Sequence, residues 1–295
     1  MFIHKNFNSG LNMANRNMNF ILLLTFVCFS QTNAQLIKLW ETDEVYKAPE
    51  SVVYDGNREC LYISNYTEPL DNGMPYGNHN ISKADLKGNI IKYDWITNVT
   101  TPTGICINND KLFIVERFGV IEYDLKNEKI SNKYLIKTSR FLNDITVDPD
   151  DNIYVSVSDS DVIYKISNGR VEEWIRDISI DQTNGILIDN NKLIVAVNSD
   201  HFLKYIDITT KEIKKIAYLG PGILDGIKKC GDDYLVSHYE GNLNLVSLSG
   251  RVTELLNTRD RKINIADFEF IKNKGLLITP ALKNNKLYGY QYKKP

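Results

Sequence analysis

Short runs of alternating apolar and polar residues, separated by turn-forming pairs, recur from residue 49 to the end of the chain. The copies open Pro49-Glu50-Ser51-Val52-Val53-Tyr54, Pro102-Thr103-Gly104-Ile105-Cys106-Ile107 and Leu142-Asn143-Asp144-Ile145-Thr146-Val147. Three more open Thr183-Asn184-Gly185-Ile186-Leu187-Ile188, Leu224-Asp225-Gly226-Ile227-Lys228-Lys229 and Ile265-Ala266-Asp267-Phe268-Glu269-Phe270. The second residue of each copy defines a slot. The slots fall at 50, 103, 143, 184, 225 and 266, spaced by 53, 40, 41, 41 and 41 residues. Each copy continues with a second apolar stretch (61–64, 112–115, 153–156, 193–196, 234–237, 276–279), then a third and, in all but the last, a fourth. Alternation over four to eight residues argues for half-buried strands. Four short strands in a repeat of about 41 residues is the signature of a propeller blade. The fold class is therefore all-β: a six-bladed β-propeller with four antiparallel strands per blade, in a single domain over 35–295. The sixth repeat stops after three strands. The run 36–41, LIKLWE, belongs to no blade. It is predicted to be the outer strand of the last blade, joining the termini and leaving no open sheet edge.

Ahead of the repeats, residues 19–29 read NFILLLTFVCF, with Lys5 and Arg16 before them and Gln31-Thr32-Asn33-Ala34 after. This apolar run is shorter than the roughly 20 residues that span a bilayer. Residues 1–34 are read as a secretory signal cut after Ala34, with Met18 as an alternative start. A secreted or periplasmic protein with no membrane span after cleavage is expected. The competing reading is an uncleaved anchor. Composition narrows the partners: 35 basic residues against 37 acidic ones leave no basic footprint for nucleic acid. Four cysteines without paired spacing give neither a zinc ribbon nor a disulfide-dense scaffold. Cys60, Cys106 and Cys230 remain after cleavage, an odd number that leaves at least one unpaired. A monomer is expected.

In a propeller the first strand of each blade lines the central channel, so the six slots gather at one end of it. They hold Glu50, Thr103, Asn143, Asn184, Asp225 and Ala266. Two carboxylates across a narrow channel repel unless a cation neutralises them. Glu50 and Asp225, with Asn143 and Asn184 adding neutral oxygens, make a hard donor set that points to Ca²⁺ rather than zinc. Asn-Asp, Asn-Gly and Asp-Gly are also ordinary turn dipeptides, but Glu50 is no turn former and still occupies the slot.

With these segments in order at blade spacing, the chain resembles the SMP-30/gluconolactonase/LRE-like group of six-bladed propellers. The likeness covers roughly residues 49–292 and rests on Pro49-Glu50-Ser51, on Asn143-Asp144 followed by Val147-Asp148-Pro149, on Thr183-Asn184-Gly185 and on Asp225-Gly226. It implies a divalent metal, usually calcium, on Glu50, Asn184 and Asp225, with Asn143 near the metal or substrate. It also implies hydrolysis of a sugar lactone or another ester, a small-molecule substrate. Asp225 is then the candidate base or nucleophile. The group's substrate-binding Arg falls where this chain has Phe141, so Arg140, one position off, takes its place. The group's further acidic residue aligns with Asp161. Thr103 and His238 complete the expected substrate contacts, His238 as a proton shuttle at the channel mouth. The departures at Phe141 and Asp161 leave sugar-lactone specificity open.

The surplus in the first spacing lies mainly in 67–78, a Pro/Gly/Asn-rich stretch expected at the slot end as a specificity loop or as surface decoration. Asn65-Tyr66-Thr67, Asn80-Ile81-Ser82 and Asn98-Val99-Thr100 match the glycosylation pattern. Two other functions compete with hydrolysis. One is a non-catalytic propeller that binds a ligand or partner at the same channel end. The other is carbon–nitrogen bond formation of the strictosidine-synthase type, which needs no metal quartet.

Overall fold

A computed structural model describes residues 34–66, 79–137 and 140–294. The expected signal segment 1–34, except Ala34 itself, and the expected specificity loop 67–78 lie outside the described residues. Strands dominate the described residues, which include three single-turn 3₁₀ helices (Ile178–Ile180, Arg259–Arg261 and Leu282–Asn284). They form six sheets of four antiparallel strands. Blades one to five take their strands in chain order, opening at Pro49–Asp55, Ile105–Asn108, Leu142–Val147, Thr183–Asp189 and Leu224–Cys230. Blade six runs from Glu269–Ile271 through Leu276–Ala281 to Lys286–Lys293.

The fourth strand of blade six is Gln35–Glu41, paired antiparallel with Lys286–Lys293 from Gln35 opposite Lys293 to Glu41 opposite Tyr288. The closing strand is where the sequence places it. Trp40 lies so close over Gly289 that a Cβ there would stand 2.1 Å from the indole. Only glycine admits this contact.

Each sheet is pressed between two neighbours, which explains the near-continuous apolar second strands. Cys60–Asn65, Ile153–Val157 and Leu276–Ala281 are buried at every position. The outermost strands, such as Lys129–Leu135, alternate between half-buried and exposed because one face meets water. The core is a ring of interfaces rather than one central mass. One apolar cluster joins Phe113 and Val115 of blade two to Val155 and Tyr164 of blade three. Others join Tyr154 to Leu193, and Leu235 to Leu277, across the following seams. Cys60, Cys106 and Cys230 are all free, and burial pushes the Cys106 thiol well up, making it an inert packing group. Asn65 and Asn80, which begin two of the glycosylation patterns, are fully buried and bond to each other at 2.7 Å. No helix among the described residues is long and apolar enough to cross a membrane.

Candidate functional site

In four blades, those of Glu50, Asn143, Asn184 and Asp225, the first strand is bulged at the slot. Pro49 pairs with Asn65 and Val52 with Ile63, so Glu50 and Ser51 together face Ser64. By the same shift Asn143 and Asp144 face Ser156, Asn184 and Gly185 face Ala196, and Asp225 and Gly226 face Ser237. Two residues against one make a β-bulge, which re-aims a side chain and leaves a backbone N–H without a ladder partner. Serine hydroxyls take those donors: Ser51 N–H bonds Ser64, Asp144 N–H bonds Ser156 and Gly226 N–H bonds Ser237, each at 2.9 Å. The serines thus hold the bulges that hold the slots.

All six slot residues line one cavity of about 390 Å³ at the end of the channel. Glu50, Asn143, Asn184 and Asp225 are each at most 8% exposed. Glu50 Oε2 and Asn184 Oδ1 are buried without a hydrogen-bond partner. Both orphans are acceptors, and an unsatisfied buried acceptor costs about 1–3 kcal/mol. Burial first, then the charges of Asp225, Asp267 and Asp144, holds Glu50 well above the ordinary carboxylate range against the pull of Lys228. Burial, Asp267, Asp144 and Glu240 raise Asp225 likewise, again opposed by Lys228.

Beneath the slots lies a second layer of charge that the repeat pattern does not announce. Asp144 accepts from its own neighbour Ile145 N–H and from Ile186 N–H of blade four, both at 2.7 Å. Asp267 accepts from Ser51 Oγ at 2.5 Å and from Lys228 Nζ at 3.1 Å. These aspartates tie neighbouring blades together around the channel. Burial and Asp267 push Asp144 up to about 7, with Lys228 opposing. Blade four needs glycine beside its slot, since a Cβ on Gly185 would stand 1.8 Å from the Asp225 carbonyl oxygen.

The other candidates separate. Thr103 lines the cavity, its hydroxyl 3.3 Å from the Leu142 carbonyl. Arg140 lines an adjoining groove instead, its Nη1 3.8 Å from Asp159 Oδ2, while Phe141 takes the cavity wall. Asp161 lies apart from the cavity lining and pairs with Arg176 at 2.6 Å. His238 sits opposite Leu224 at the slot end, as strand counting predicts, but is packed beside Gly222 rather than on the cavity wall. Burial lowers its pKa and favours the neutral ring.

Two rows of lining residues are not announced by the slot pattern. Tyr66, Ser158, Asn198, Tyr239 and Leu282 each follow directly on a second strand. Phe141, Gln182 and Ile223 each stand two residues before a slot. Repeat register, extended beyond the slot itself, is the signal that finds both rows.

The candidate metal set contains two carboxylates and two amides. Among the described residues no group of three or more His, Cys, Asp or Glu is placed to hold a metal. A cation at this site would therefore depend on the amide oxygens as much as on the acids. The donor set fits a hard divalent ion: all oxygen, two negative charges, and two buried acceptors that lack partners.

No protein-family model matches the sequence, and no curated protein matches it. Solved structures do. A gluconolactonase from Xanthomonas campestris superposes with a TM-score of 0.68 at 13% identity, covering 88% of this chain and 90% of that one. Virginiamycin B lyase from Staphylococcus aureus, solved as a catalytically inactive histidine-to-alanine variant with quinupristin, superposes at 0.65 and 13% identity, covering 88% and 99%. A streptogramin B lyase gives 0.65 at 13% identity, with 88% and 98% covered. The chain is a six-bladed β-propeller. At this identity the likeness carries the architecture, and the resemblance drawn from the slot motifs holds at that level.

Proposed function

We propose that the protein is a calcium-dependent hydrolase of a lactone or ester, secreted or periplasmic, with its site in the central cavity. One observation carries the reading: four oxygen-bearing side chains, far apart in sequence, line a single cavity in which the buried Glu50 Oε2 and Asn184 Oδ1 have no partner. Glu50, Asn143, Asn184 and Asp225 would hold the ion. When bound, Ca²⁺ supplies Lewis acidity toward an ester carbonyl and charge stabilisation for the oxyanion.

The chain's own residues supply the rest. Asp225 and Glu50 are the carboxylates on the cavity wall, and no described histidine lines it, so proton transfer falls to them. Asp225 is the candidate base or nucleophile; either role needs its carboxylate, which burial among like charges disfavours and which a divalent ion held there would favour. Tyr66, Phe141, Ile223 and Leu282 give the cavity apolar walls that exclude water and seat the organic part of the substrate.

The test is hydrolysis of a panel of small lactones and aryl esters by the purified chain with calcium and with chelator. Turnover that chelator abolishes and calcium restores is expected. Metal binding without turnover of any member would replace the hydrolase with a ligand-binding propeller.

A further inference from the structure

Beside the central cavity runs a groove of about 540 Å³ whose described lining includes Arg117, Phe118, Arg140 and Asp159. It shares Tyr66 and Phe141 with the cavity, so the two spaces adjoin along one wall. Their charges are opposite. Among the described lining residues, the cavity carries two carboxylates, whereas the groove has two guanidinium groups against a single carboxylate. That carboxylate is already engaged: Asp159 Oδ1 accepts from the Phe141 N–H at 2.8 Å, and Oδ2 lies 3.8 Å from Arg140 Nη1. Arg117 has no ion-pair partner among the described residues, and its guanidinium lies 5.8 Å from the Phe118 ring centre.

The placement of Arg117 is specific to its blade. It is the residue directly after a second strand, the position that in other blades holds Tyr66, Ser158, Asn198, Tyr239 and Leu282. Blade two alone puts a cation there. Phe118 and Phe141, 53% and 40% exposed, leave apolar surface beside the two charges. Guanidinium forks match planar oxyanions, and aromatic faces match an apolar body.

We propose that this groove is a carboxylate-binding subsite, and that the substrate is a lactone or ester bearing an anionic carboxylate on an apolar body. The proposal rests on the hydrolase reading of the cavity for the bond that is cleaved. The excess of guanidinium over carboxylate among the described lining residues suits a monoanion such as a carboxylate. The carboxylate lies against Arg117 and Arg140, and the scissile carbonyl reaches past Phe141 into the cavity.

The binding half is tested without turnover. Phenylacetate and its neutral counterpart phenylacetamide are titrated calorimetrically into the full chain with calcium present. Phenylacetate is expected to bind at least about tenfold more tightly, and Arg117→Gln and Arg140→Gln each to weaken it by about tenfold while leaving phenylacetamide unchanged. Both arginines are exposed, so neither substitution disturbs the core. Equal binding of acid and amide, no binding of either, or variants that bind phenylacetate as tightly as the parent would overturn the subsite. A γ-lactone with a ring carboxylate is then compared with the unsubstituted ring: Arg117→Gln should raise KM for the first alone, with kcat held. If phenylacetate binds through both arginines but no lactone is cleaved, the subsite stands and the hydrolase reading falls.

Discussion

Glu50 and Asp225 are costly residues to bury at a channel mouth. Each is kept from ionising by burial and by like charges, and Glu50 also leaves an oxygen without a donor. The proposed cation would satisfy both residues. Glu50→Gln or Asp225→Asn should weaken calcium binding by at least about 100-fold, since each removes one of two charged donors; calorimetry reads this directly. The slot residues are legible in the sequence because a period of about 41 residues aligns them. Asp144 and Asp267 stand in the same alignment, yet their role as ties between blades is not legible there. An aspartate after an asparagine reads as a turn former, and only the neighbouring strand shows that Ile186 N–H lies against it. Arg140 fails as a cavity residue for a related reason: one residue of offset in a strand entry sends a side chain to a different wall.

Among the elements, the bulge is what turns a repeat into a site. A regular first strand would alternate its side chains between the two blade seams. The two-against-one register frees the slot from that alternation, and the serine opposite keeps it so. Ser156→Ala should cost about 1–3 kcal/mol, because it strands the buried Asp144 N–H; urea unfolding measures it. Gly185→Ala should be more damaging to the site than to the fold. Its Cβ would displace the Asp225 carbonyl, 1.8 Å away, and so move a proposed metal donor. The expected result is a destabilisation of about 1–3 kcal/mol together with lost calcium affinity. Strand positions, by contrast, follow from alternation alone. What alternation cannot give is the inward turn of the slots, because a bulge adds a residue without changing the apolar pattern on either side.

Across the whole molecule, closure and charge set the stability. Removing residues 35–41 uncovers the edge of Lys286–Lys293 and opens the ring, so the truncated chain should lose cooperative unfolding and aggregate. This closure is readable from a missing fourth strand at one terminus and a surplus strand at the other. The buried carboxylates give the pH dependence its sign. Glu50, Asp225 and Asp144 all titrate higher in the folded chain, so folding takes up protons. Their stabilisation is complete below the ordinary aspartate value of 3.8; that of Asp144 is lost as pH rises through about 7, and those of Glu50 and Asp225 as pH rises through their own raised values. Without calcium, the urea midpoint should therefore fall between about pH 4 and pH 7, and calcium should remove much of that fall.

Calcium titration of the chelator-treated chain, followed by calorimetry, asks the central question most directly. One ion per chain is predicted, bound by the parent and lost from both Glu50→Gln and Asp225→Asn. A chain that takes up no calcium, or variants that bind it as the parent does, would contradict the account.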